Sequence, residues 1–236
     1  MSLQIQTPER VTTTSQAYNA LLTAILDGSL KSGQSLNLRA LSEILGMSAM
    51  PIREALRQLE GVGLVEIIPH RGARLRRLSL VDLIDTYDAR VPLERALIRR
   101  SAARIDKATL AKAQAALDRQ TRALAEGDLT TARLAHEEFH LTLYEAAESP
   151  WLFRLCKQVW LNSERYQALT MTEHAHVQER RLEHQEILDA CRARELDNAE
   201  KALERHLIRT VTLLSDAMAS EPEVGQAEER LTGRAL

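Results

Sequence analysis

Along most of the chain, apolar residues recur every three or four positions, the spacing that places them on one face of an α-helix. After residue 78 this pattern dominates, and short polar breaks divide it into segments. These predict helices at residues 80–105, 107–126, 129–148, 151–171, 175–194 and 197–220. Pro92 lies inside the first segment and predicts either a kink or a later start for that helix. The second part of the chain is therefore expected to form a helical bundle.

The first part of the chain carries shorter helical segments separated by turn signals. Residues 18–26 follow helical spacing, Ser15 is the predicted N-cap of this helix, and residues 30–37 are predicted to be a turn-rich connection. Asn37 can cap a second helix, which ends at Gly46. The apolar face of that helix is predicted to comprise Leu38, Leu41, Ile44 and Leu45.

A third helix is predicted directly after a tight corner. Ser48 is its expected N-cap, and Pro51 falls in the first turn, where the backbone nitrogen needs no intrahelical partner. Beyond this helix, the stretches "LVEII" and "ARLRR" predict two strands joined by the turn "PHRG". Two helices joined by a tight corner and followed by two strands are typical of a winged helix-turn-helix.

These patterns predict a mainly α protein with two domains. A winged helix-turn-helix is expected at residues 10–78, an all-α bundle of about six helices at 79–220, and a disordered polar tail at 221–236. Residues 1–78 hold nine Lys/Arg and six Asp/Glu, a net charge of +3, although the whole chain carries −2. The opposite signs of the two parts predict different binding partners.

Composition excludes several other classes of protein. With 44% hydrophobic and 27% charged residues, the chain resembles ordinary globular proteins. Cys156 and Cys191 stand far apart, which argues against a disulfide framework or a cysteine-based zinc site and predicts two buried thiols. The first ten residues lack the pattern of a signal peptide, and no apolar stretch approaches the ~18 residues of a membrane helix. A cytoplasmic location without membrane attachment is expected.

Polar residues of the first part mark a candidate DNA-binding surface. In a helix-turn-helix, side chains near the start of the second helix reach base edges in the major groove. Arg53 and Arg57 lie there, one turn apart, and the arginine fork suits guanine or phosphate. The candidate DNA-binding residues are Arg39, Ser48, Arg53, Arg57, and at the wing tip His70, Arg71 and Gly72. The alternative is that these are ordinary solvated side chains; the order of cap, corner, proline and basic wing favours DNA.

Four histidines mark a candidate metal site. His136 and His140 are four residues apart and share one helix face. His184 and His206 each lie eleven residues from a predicted hairpin turn near Glu195, so that they meet at the same height. Each histidine lies beside apolar residues of its predicted helix, so all four histidines are expected to face the bundle interior. Any one of them alone is better explained as a core histidine, but the four positions together favour a site for a divalent metal.

Two of these histidines also belong to a peptidase motif. The stretch "HEEFH" at 136–140 matches the H-E-x-x-H pattern of zinc peptidases, in which Glu137 would act as general base on metal-bound water. A metal-dependent hydrolase is therefore the alternative function. Four histidines form a closed ligand set, however, and their place in a bundle behind a winged helix favours a metal that anchors a ligand. Glu137 and Glu138 are then expected to face solvent.

The segment 36–75, "LNLRALSEILGMSAMPIREALRQLEGVGLVEIIPHRGARL", resembles the winged helix-turn-helix of the GntR transcriptional regulators. The helical remainder resembles the ligand-binding FCD domain of their FadR-like branch. The resemblance covers nearly the whole chain and rests on the motif residues Ser48, Pro51, Arg53, Glu54, Ala55 and Leu56 and on Pro69-His70-Arg71-Gly72. It implies Arg39 and Arg53 as DNA contacts. The family usually has Arg-Thr where this chain has Ala49-Met50, so a different operator sequence is expected.

The resemblance also bears on the metal. Many FCD domains bind a divalent metal through an Asp, a His four positions later in an "Asp-x-x-Phe-His" stretch, and two histidines on later helices. Here His136 stands at the Asp position, while His140, His184 and His206 match the three histidines. Four nitrogen ligands favour zinc or nickel over calcium or magnesium.

An effector is the last implied component. A metal with exchangeable positions beside an arginine suits a small carboxylate, and Arg90, followed by Glu94 as in the family, is the candidate. The alternative role of Arg90 is a salt bridge with Asp88 or Glu94. Four aromatic residues are candidates to line the cavity or to belong to the core: Tyr87, Tyr144, Trp160 and Tyr166. The predicted function is a homodimeric DNA-binding regulator, not an enzyme, whose repression at a near-palindromic operator is relieved by a small organic acid.

Overall fold

A computed structural model describes residues 12–69, 71–167 and 177–220 of the chain. Contacts among these residues separate the chain into two compact units, which divide between Arg77 and Leu78. Each unit has a hydrophobic core of its own.

The N-terminal unit contains three helices and a small antiparallel sheet. Its elements are α1 (Thr13–Leu26), β1 (Ser35–Leu36), α2 (Leu38–Leu45), α3 (Ala49–Gly61), β2 (Val65–Ile68) and β3 (Gly72–Leu75). The strand order is β1-β3-β2. Ala73 of the central strand β3 lies opposite Leu36 of β1 on one side and opposite Ile67 of β2 on the other. The winged helix-turn-helix architecture predicted from the sequence is confirmed.

The helix ends explain why these segments are helical. Asn37 Oδ1 accepts hydrogen bonds from the backbone N–H groups of Arg39 and Ala40 at 2.9 and 3.2 Å, and Gly46 closes α2 in the left-handed conformation. The prediction of Ser15 as N-cap of α1 was wrong, because Thr12 Oγ1 accepts from the Ser15 backbone N–H at 3.1 Å. Ser48 stands at the N-cap of α3, but its side chain makes no capping hydrogen bond.

Two further expectations for this unit need correction. The wing sheet has a third strand, β1, inside the segment predicted to be a plain connection. With only two residues, β1 is too short to show an alternating pattern, although Leu36 is buried. Ile44 was assigned to the apolar face of α2 but is 78% exposed. This eight-residue helix packs mainly against α3 through Leu41, so its buried arc is narrow.

The described residues of the C-terminal unit form a bundle of six helices. They are α4 (Leu80–Arg104), α5 (Lys107–Glu126), α6 (Leu129–Glu145), α7 (Pro150–Gln167), α8 (Val177–Ala193) and α9 (Leu196–Ser220). Pro92 lies inside α4, so its role as a later helix start is excluded. Helix α6 ends three residues before the predicted end, where Glu148 adopts a positive φ of 50°. The predicted helical residues 168–171 and 175–176 and the polar tail lie outside the described residues.

In the bundle core, apolar residues of α7 and α8 pack in one cluster with those of α6. Phe139 and Leu143 of α6 pack in one cluster with Trp160 of α7 and Leu188 of α8. Cys156 and Cys191 are buried in the same cluster as predicted, and their burial raises the pKa of both thiols. Within the described ranges, we find no helix that combines the length and apolarity needed to span a bilayer.

A glycine substitution tests the wing. Gly72 has a φ of +93°, and a Cβ there would lie 3.2 Å from the Leu36 carbonyl oxygen, so Gly72→Ala strains both its own backbone and the β1–β3 pairing. We expect a loss of about 1–3 kcal/mol of stability, measured by denaturant unfolding of the full chain. Gly61→Ala is the control because Gly61 is helical with open space around its Cβ, and it should be neutral or stabilising by up to about 1 kcal/mol. Equal effects of the two substitutions would contradict this account of the wing.

Candidate metal centre and nucleic-acid interface

The four predicted histidines meet in the bundle core. One potential ligand atom from each of His136, His140, His184 and His206 lies within 4.8 Å of the others, and all four side chains are buried. His136 and His140 are one turn apart on α6, with ring centroids 4.8 Å apart. Helices α8 and α9 form an antiparallel hairpin that brings the His184 and His206 centroids to 4.5 Å. The expected equal height of the last two histidines is therefore observed.

Hydrogen bonds orient two of the rings. Glu183 Oε2 lies 2.9 Å from His206 Nδ1. Burial raises the pKa of the Glu183 carboxyl, but the hydrogen bond from His206 and the nearby Arg209 outweigh burial and hold this pKa below its usual value. Glu183 is thus an anionic acceptor that holds Nδ1–H of His206, and this leaves Nε2 as the available ligand atom.

A second chain of hydrogen bonds reaches His140. The Tyr144 hydroxyl donates to Glu94 Oε2 at 2.5 Å, so its oxygen is free to accept from Nδ1–H of His140 at 3.3 Å. In this tautomer His140 Nε2 carries a lone pair directed toward the cluster, where it lies 3.0 Å from His184 Nε2. Such outer partners are typical of metal-ligating histidines.

The donor set fits a divalent transition metal. Burial, followed by the positive charges of neighbouring histidines and arginines, lowers the pKa of His136, His140 and His184 well below the usual value of about 6.5. Near neutral pH these imidazoles are therefore uncharged, which is the form that binds metals. His136 Nδ1 is buried and has no hydrogen-bond partner among the described residues. Around one ion with bonds of about 2.0–2.1 Å, ligand nitrogens lie roughly 3–4 Å apart. His140 Nε2 and His184 Nε2 are 3.0 Å apart, and all four ligand atoms lie within 4.8 Å of one another, so small side-chain adjustments would bring them around an ion.

A cavity of about 50 Å³ opens beside the histidines. Its described lining residues come from the five helices α4, α5, α6, α8 and α9 and from the end of α7. They are Tyr87, Arg90, Gln120, Thr121, Leu124, Ala132, Arg133, His136, Gln167, Val177, Arg180, Arg181, His184, His206, Leu207 and Thr210. Because one water molecule needs roughly 10–15 Å³ of such space, the cavity has room for a small ligand.

Arg90 combines both roles considered from the sequence. It lines the cavity, and its buried guanidinium donates from Nε to Glu94 at 2.5 Å and from Nη1 to Ser163 at 2.8 Å. The guanidinium carbon also lies over the rings of Tyr87 and Trp160, at 4.7 and 4.4 Å from their centroids. A guanidinium has five N–H donors, so these two hydrogen bonds leave donors for a ligand.

Several site residues escaped the sequence analysis. Arg133 and Arg180 line the cavity, and each precedes a metal-ligand candidate by three or four residues, a spacing that places both on the same helix face as a histidine but does not by itself indicate a cavity. Glu183 could not be found this way because it contacts a histidine of another helix. Of the four aromatic candidates, Tyr87 lines the cavity, whereas Tyr144, Trp160 and Tyr166 are buried in the core.

Glu137, the residue that would act as general base in the peptidase motif, lies beside the site rather than in it. Glu137 is absent from the described lining of the cavity, and its nearest cationic partner is Arg133 at 3.9 Å. Glu138 forms an ion pair with Arg119 on the bundle surface. Both side chains remain partly exposed, at 27% and 39%, in agreement with their expected position toward solvent.

The candidate DNA-binding residues lie on exposed faces of the N-terminal unit. Ser48 at the N-cap of α3 is exposed, and so are Arg53 and Arg57 on the helix. Its buried face comprises Ile52, Ala55, Leu56 and Leu59. Arg39 on α2 is 90% exposed and pairs loosely with Glu43 at 3.3 Å. Arg71 and Gly72 are exposed at the wing tip, whereas His70 lies outside the described residues.

Comparisons with known proteins identify the family. Residues 13–75 match the bacterial regulatory proteins of the gntR family, and residues 85–209 match the FCD domain. The chain belongs to the GntR family and to its FadR-like FCD branch.

Similar proteins share this arrangement over nearly their whole length. The HTH-type transcriptional repressor GlaR of Escherichia coli is 26% identical over 215 residues, which cover 88% of this chain and 98% of GlaR. A probable D-xylose utilization operon transcriptional repressor of Paenarthrobacter nicotinovorans is 27% identical over 198 residues, covering 84% and 87% of the two chains. The structure of E. coli McbR/YncC superposes with a TM-score of 0.78 at 23% identity, covering 88% and 99%, and supports the fold.

This GntR–FCD chain is a DNA-binding transcriptional regulator, not an enzyme. The hydrolase alternative is not supported, because both domain families and the named relatives are regulatory. Regulators of this family bind DNA operators and typically act as dimers. The H-E-x-x-H string arises because His136 lies one turn before His140 on a helix where both face the core.

Proposed function

We propose that the protein is a homodimeric repressor that leaves its operator when a small organic acid binds beside a metal in the bundle. Residues 10–78 bind DNA in this scheme, and residues 79–220 bind the effector and dimerise. The observation that carries the proposal is the buried four-histidine cluster opening onto an arginine-lined cavity. A closed cluster without that cavity would favour a purely structural metal.

The DNA-binding half of the proposal rests on α3 and the wing. Arg53 and Arg57 present donor forks from the exposed face of a helix whose opposite face is fully occupied by the core. Arg39 is placed to contact a phosphate from α2, and Ser48 and the wing residues His70, Arg71 and Gly72 complete the interface. In a homodimer, two such units would read half-sites about one helical turn apart on a near-palindromic operator.

The proposed metal ligands are His136, His140, His184 and His206, and zinc or nickel suits this all-nitrogen set. When bound, such an ion supplies a Lewis acid that attracts carboxylate oxygens. Glu183 holds the proton on Nδ1 of His206, and Tyr144 accepts the corresponding proton of His140. Arg90 supplies charge-assisted hydrogen bonds to an acid in the cavity.

Effector binding would alter operator affinity only through a difference in its own affinity for the two states of the dimer. Arg90 is suited to this role because Glu94 and Tyr144 connect it to His140. An acid that competes for the donors of Arg90 therefore acts on the same network that orients a metal ligand.

The decisive experiment is a footprint of the purified protein on the DNA upstream of its own gene, with and without a chelator. Protection of a near-palindromic sequence that weakens steeply with salt supports the proposal, because phosphate contacts release counterions. Absence of protection at low salt, on this DNA and on pooled genomic fragments, would overturn it.

An arginine substitution separates DNA contacts from general charge. Arg53→Ala should weaken operator binding about 10-fold or more, because a bidentate base contact contributes roughly 1–3 kcal/mol of discrimination. Arg205→Ala removes the same charge from the bundle surface, where Arg205 pairs with Glu186, and should leave operator affinity within about 2-fold. Fluorescence anisotropy with the footprinted duplex measures both. Equal losses would mean that net charge, not the α3 contact, governs binding.

A carboxylate substitution tests the metal centre. Glu183→Gln removes the anionic acceptor of His206 and should lower metal affinity about 10- to 100-fold. Glu186→Gln on the same helix breaks only the exposed pair with Arg205 and should leave metal affinity unchanged. Competition for zinc or nickel with a chelating indicator provides the measurement, with operator binding followed in parallel. Unchanged affinity in the Glu183→Gln variant would exclude His206 as an oriented ligand.

A further inference from the structure

The cavity beside the histidines has an uneven charge. Four arginines, Arg90, Arg133, Arg180 and Arg181, line it, and its described lining includes no Asp or Glu. The polar neutral residues among its walls, such as Gln120 and Thr210, can also donate hydrogen bonds. Glu94, Glu164 and Asp118 pair with Arg90, Arg133 and Arg181 from outside the lining. Each guanidinium has five N–H donors, however, so the walls retain hydrogen-bond donors for an anion at more than one point.

The polar walls form two levels along the helices. One level contains His136, His184 and His206. The other contains Arg133, three residues before His136; Arg180, four residues before His184; and Thr210, four residues after His206. Because α8 and α9 are antiparallel, Arg180 and Thr210 lie on the same side of the histidines, and the cavity also extends along α6 toward Arg133. Along the helix axes, the backbone positions of the two levels are one turn, about 5.4 Å, apart.

The arginines differ in how strongly protein partners hold them. Arg181 donates to Asp118 at 2.9 Å and to Thr121 at 2.7 Å. Arg133 has looser contacts, with Nη1 at 3.3 Å from Glu164 and 3.9 Å from Glu137, and its side chain is 13% exposed. Its geometry therefore leaves the most evident capacity for bidentate binding of an anion at the second level.

We propose that the effector is a short dicarboxylate, with one carboxylate at the histidine level near Arg90 and the other held by Arg133 one turn away. The proposal rests on the function proposed above and specifies its ligand class. The carboxyl carbons of an unbranched four- or five-carbon diacid lie roughly 4–5 Å apart, given carbon–carbon bonds of about 1.5 Å. This separation is similar to the rise of about 5.4 Å between the backbone positions of the two levels. A monoacid would fill one level, and inorganic phosphate would place its whole charge at one point.

The first test is a chain-length series on the zinc-loaded full-length protein. Isothermal titration calorimetry would compare diacids of three to six carbons with butyrate, valerate and inorganic phosphate. We expect succinate or glutarate to bind at least 10-fold more tightly than the monoacid of equal length and than phosphate. Equal binding of mono- and diacids, preference for phosphate, or no binding by any acid would overturn the dicarboxylate assignment.

The second test locates the distal carboxylate. Arg133→Gln should reduce affinity for the preferred diacid at least 10-fold while changing that of the matched monoacid less than about 2-fold, and Arg133→Lys should retain part of the diacid preference. Arg119→Gln is the control, since Arg119 pairs with Glu138 outside the cavity lining. An equal loss for both acids would overturn the role of Arg133.

Additional measurements distinguish a misfolded variant, a failure of the proposed regulator and a failure of the dicarboxylate inference. Metal content and thermal unfolding establish that each variant is folded, and the chain-length series on the unmodified protein remains decisive if Arg133→Gln does not fold. Operator binding without any acid is measured independently. Its loss would refute the proposed regulator, whereas intact operator binding without diacid preference refutes only the present inference.

Discussion

The C-terminal unit depends on how it accommodates four imidazoles in one buried cluster. A buried polar group is costly unless it is hydrogen-bonded or coordinated, and a buried charge is costlier still. Here the cost is limited in two ways. The low pKa values of His136, His140 and His184 keep these rings neutral, and partners outside the cluster satisfy one nitrogen of His140 and of His206. One nitrogen from each of the four rings lies within 4.8 Å of the others, so an ion among them would coordinate lone pairs for which the apolar core offers no partner.

The same constraint links the cluster to the cavity. Arg90 is buried, and it requires the carboxylate of Glu94 to balance its charge. Glu94 also accepts from Tyr144, which in turn contacts His140. An anion that binds Arg90 must share the guanidinium with Glu94, and any adjustment of Glu94 reaches His140 through one hydroxyl group. In the proposed function, metal coordination and ligand binding would therefore be coupled by contact, with no need for a change in the fold.

The sequence predicted the elements that local patterns determine. Helical periodicity and caps located α2, α3 and the six bundle helices, and the equal distances of His184 and His206 from the Glu195 turn placed them together. Features that depend on packing between distant segments were not predictable in this way. Strand β1 exists because two residues pair with β3, and the exposure of Ile44 reflects the narrow contact of α2 with α3.

The residues of the candidate site likewise fall into those with a local sequence signal and those that depend on packing between distant segments. The four ligand candidates and Arg90 were found because each has a local signal, either a four-residue spacing, a hairpin symmetry or a family context. Glu183 was missed because its partner, His206, lies on the next helix, 23 residues away. Arg133 was missed because three-residue spacing from a histidine acquires meaning only when a cavity is known to lie on that side of α6.

The proposed ligand-dependent control would place opposing demands on this centre. A tetrahedral site closed by four histidines binds its metal firmly but leaves no coordination position, whereas an acid that reaches the metal requires expansion to five or six ligands. Zinc accepts such expansion less readily than nickel. The arginines of the cavity reduce this demand, because they can hold much of an anion's charge through hydrogen bonds while the metal contributes a weaker contact. An effector with a second carboxylate at Arg133 would depend least on the open coordination position. Its affinity would then follow the arginine level of the cavity more than the identity of the metal.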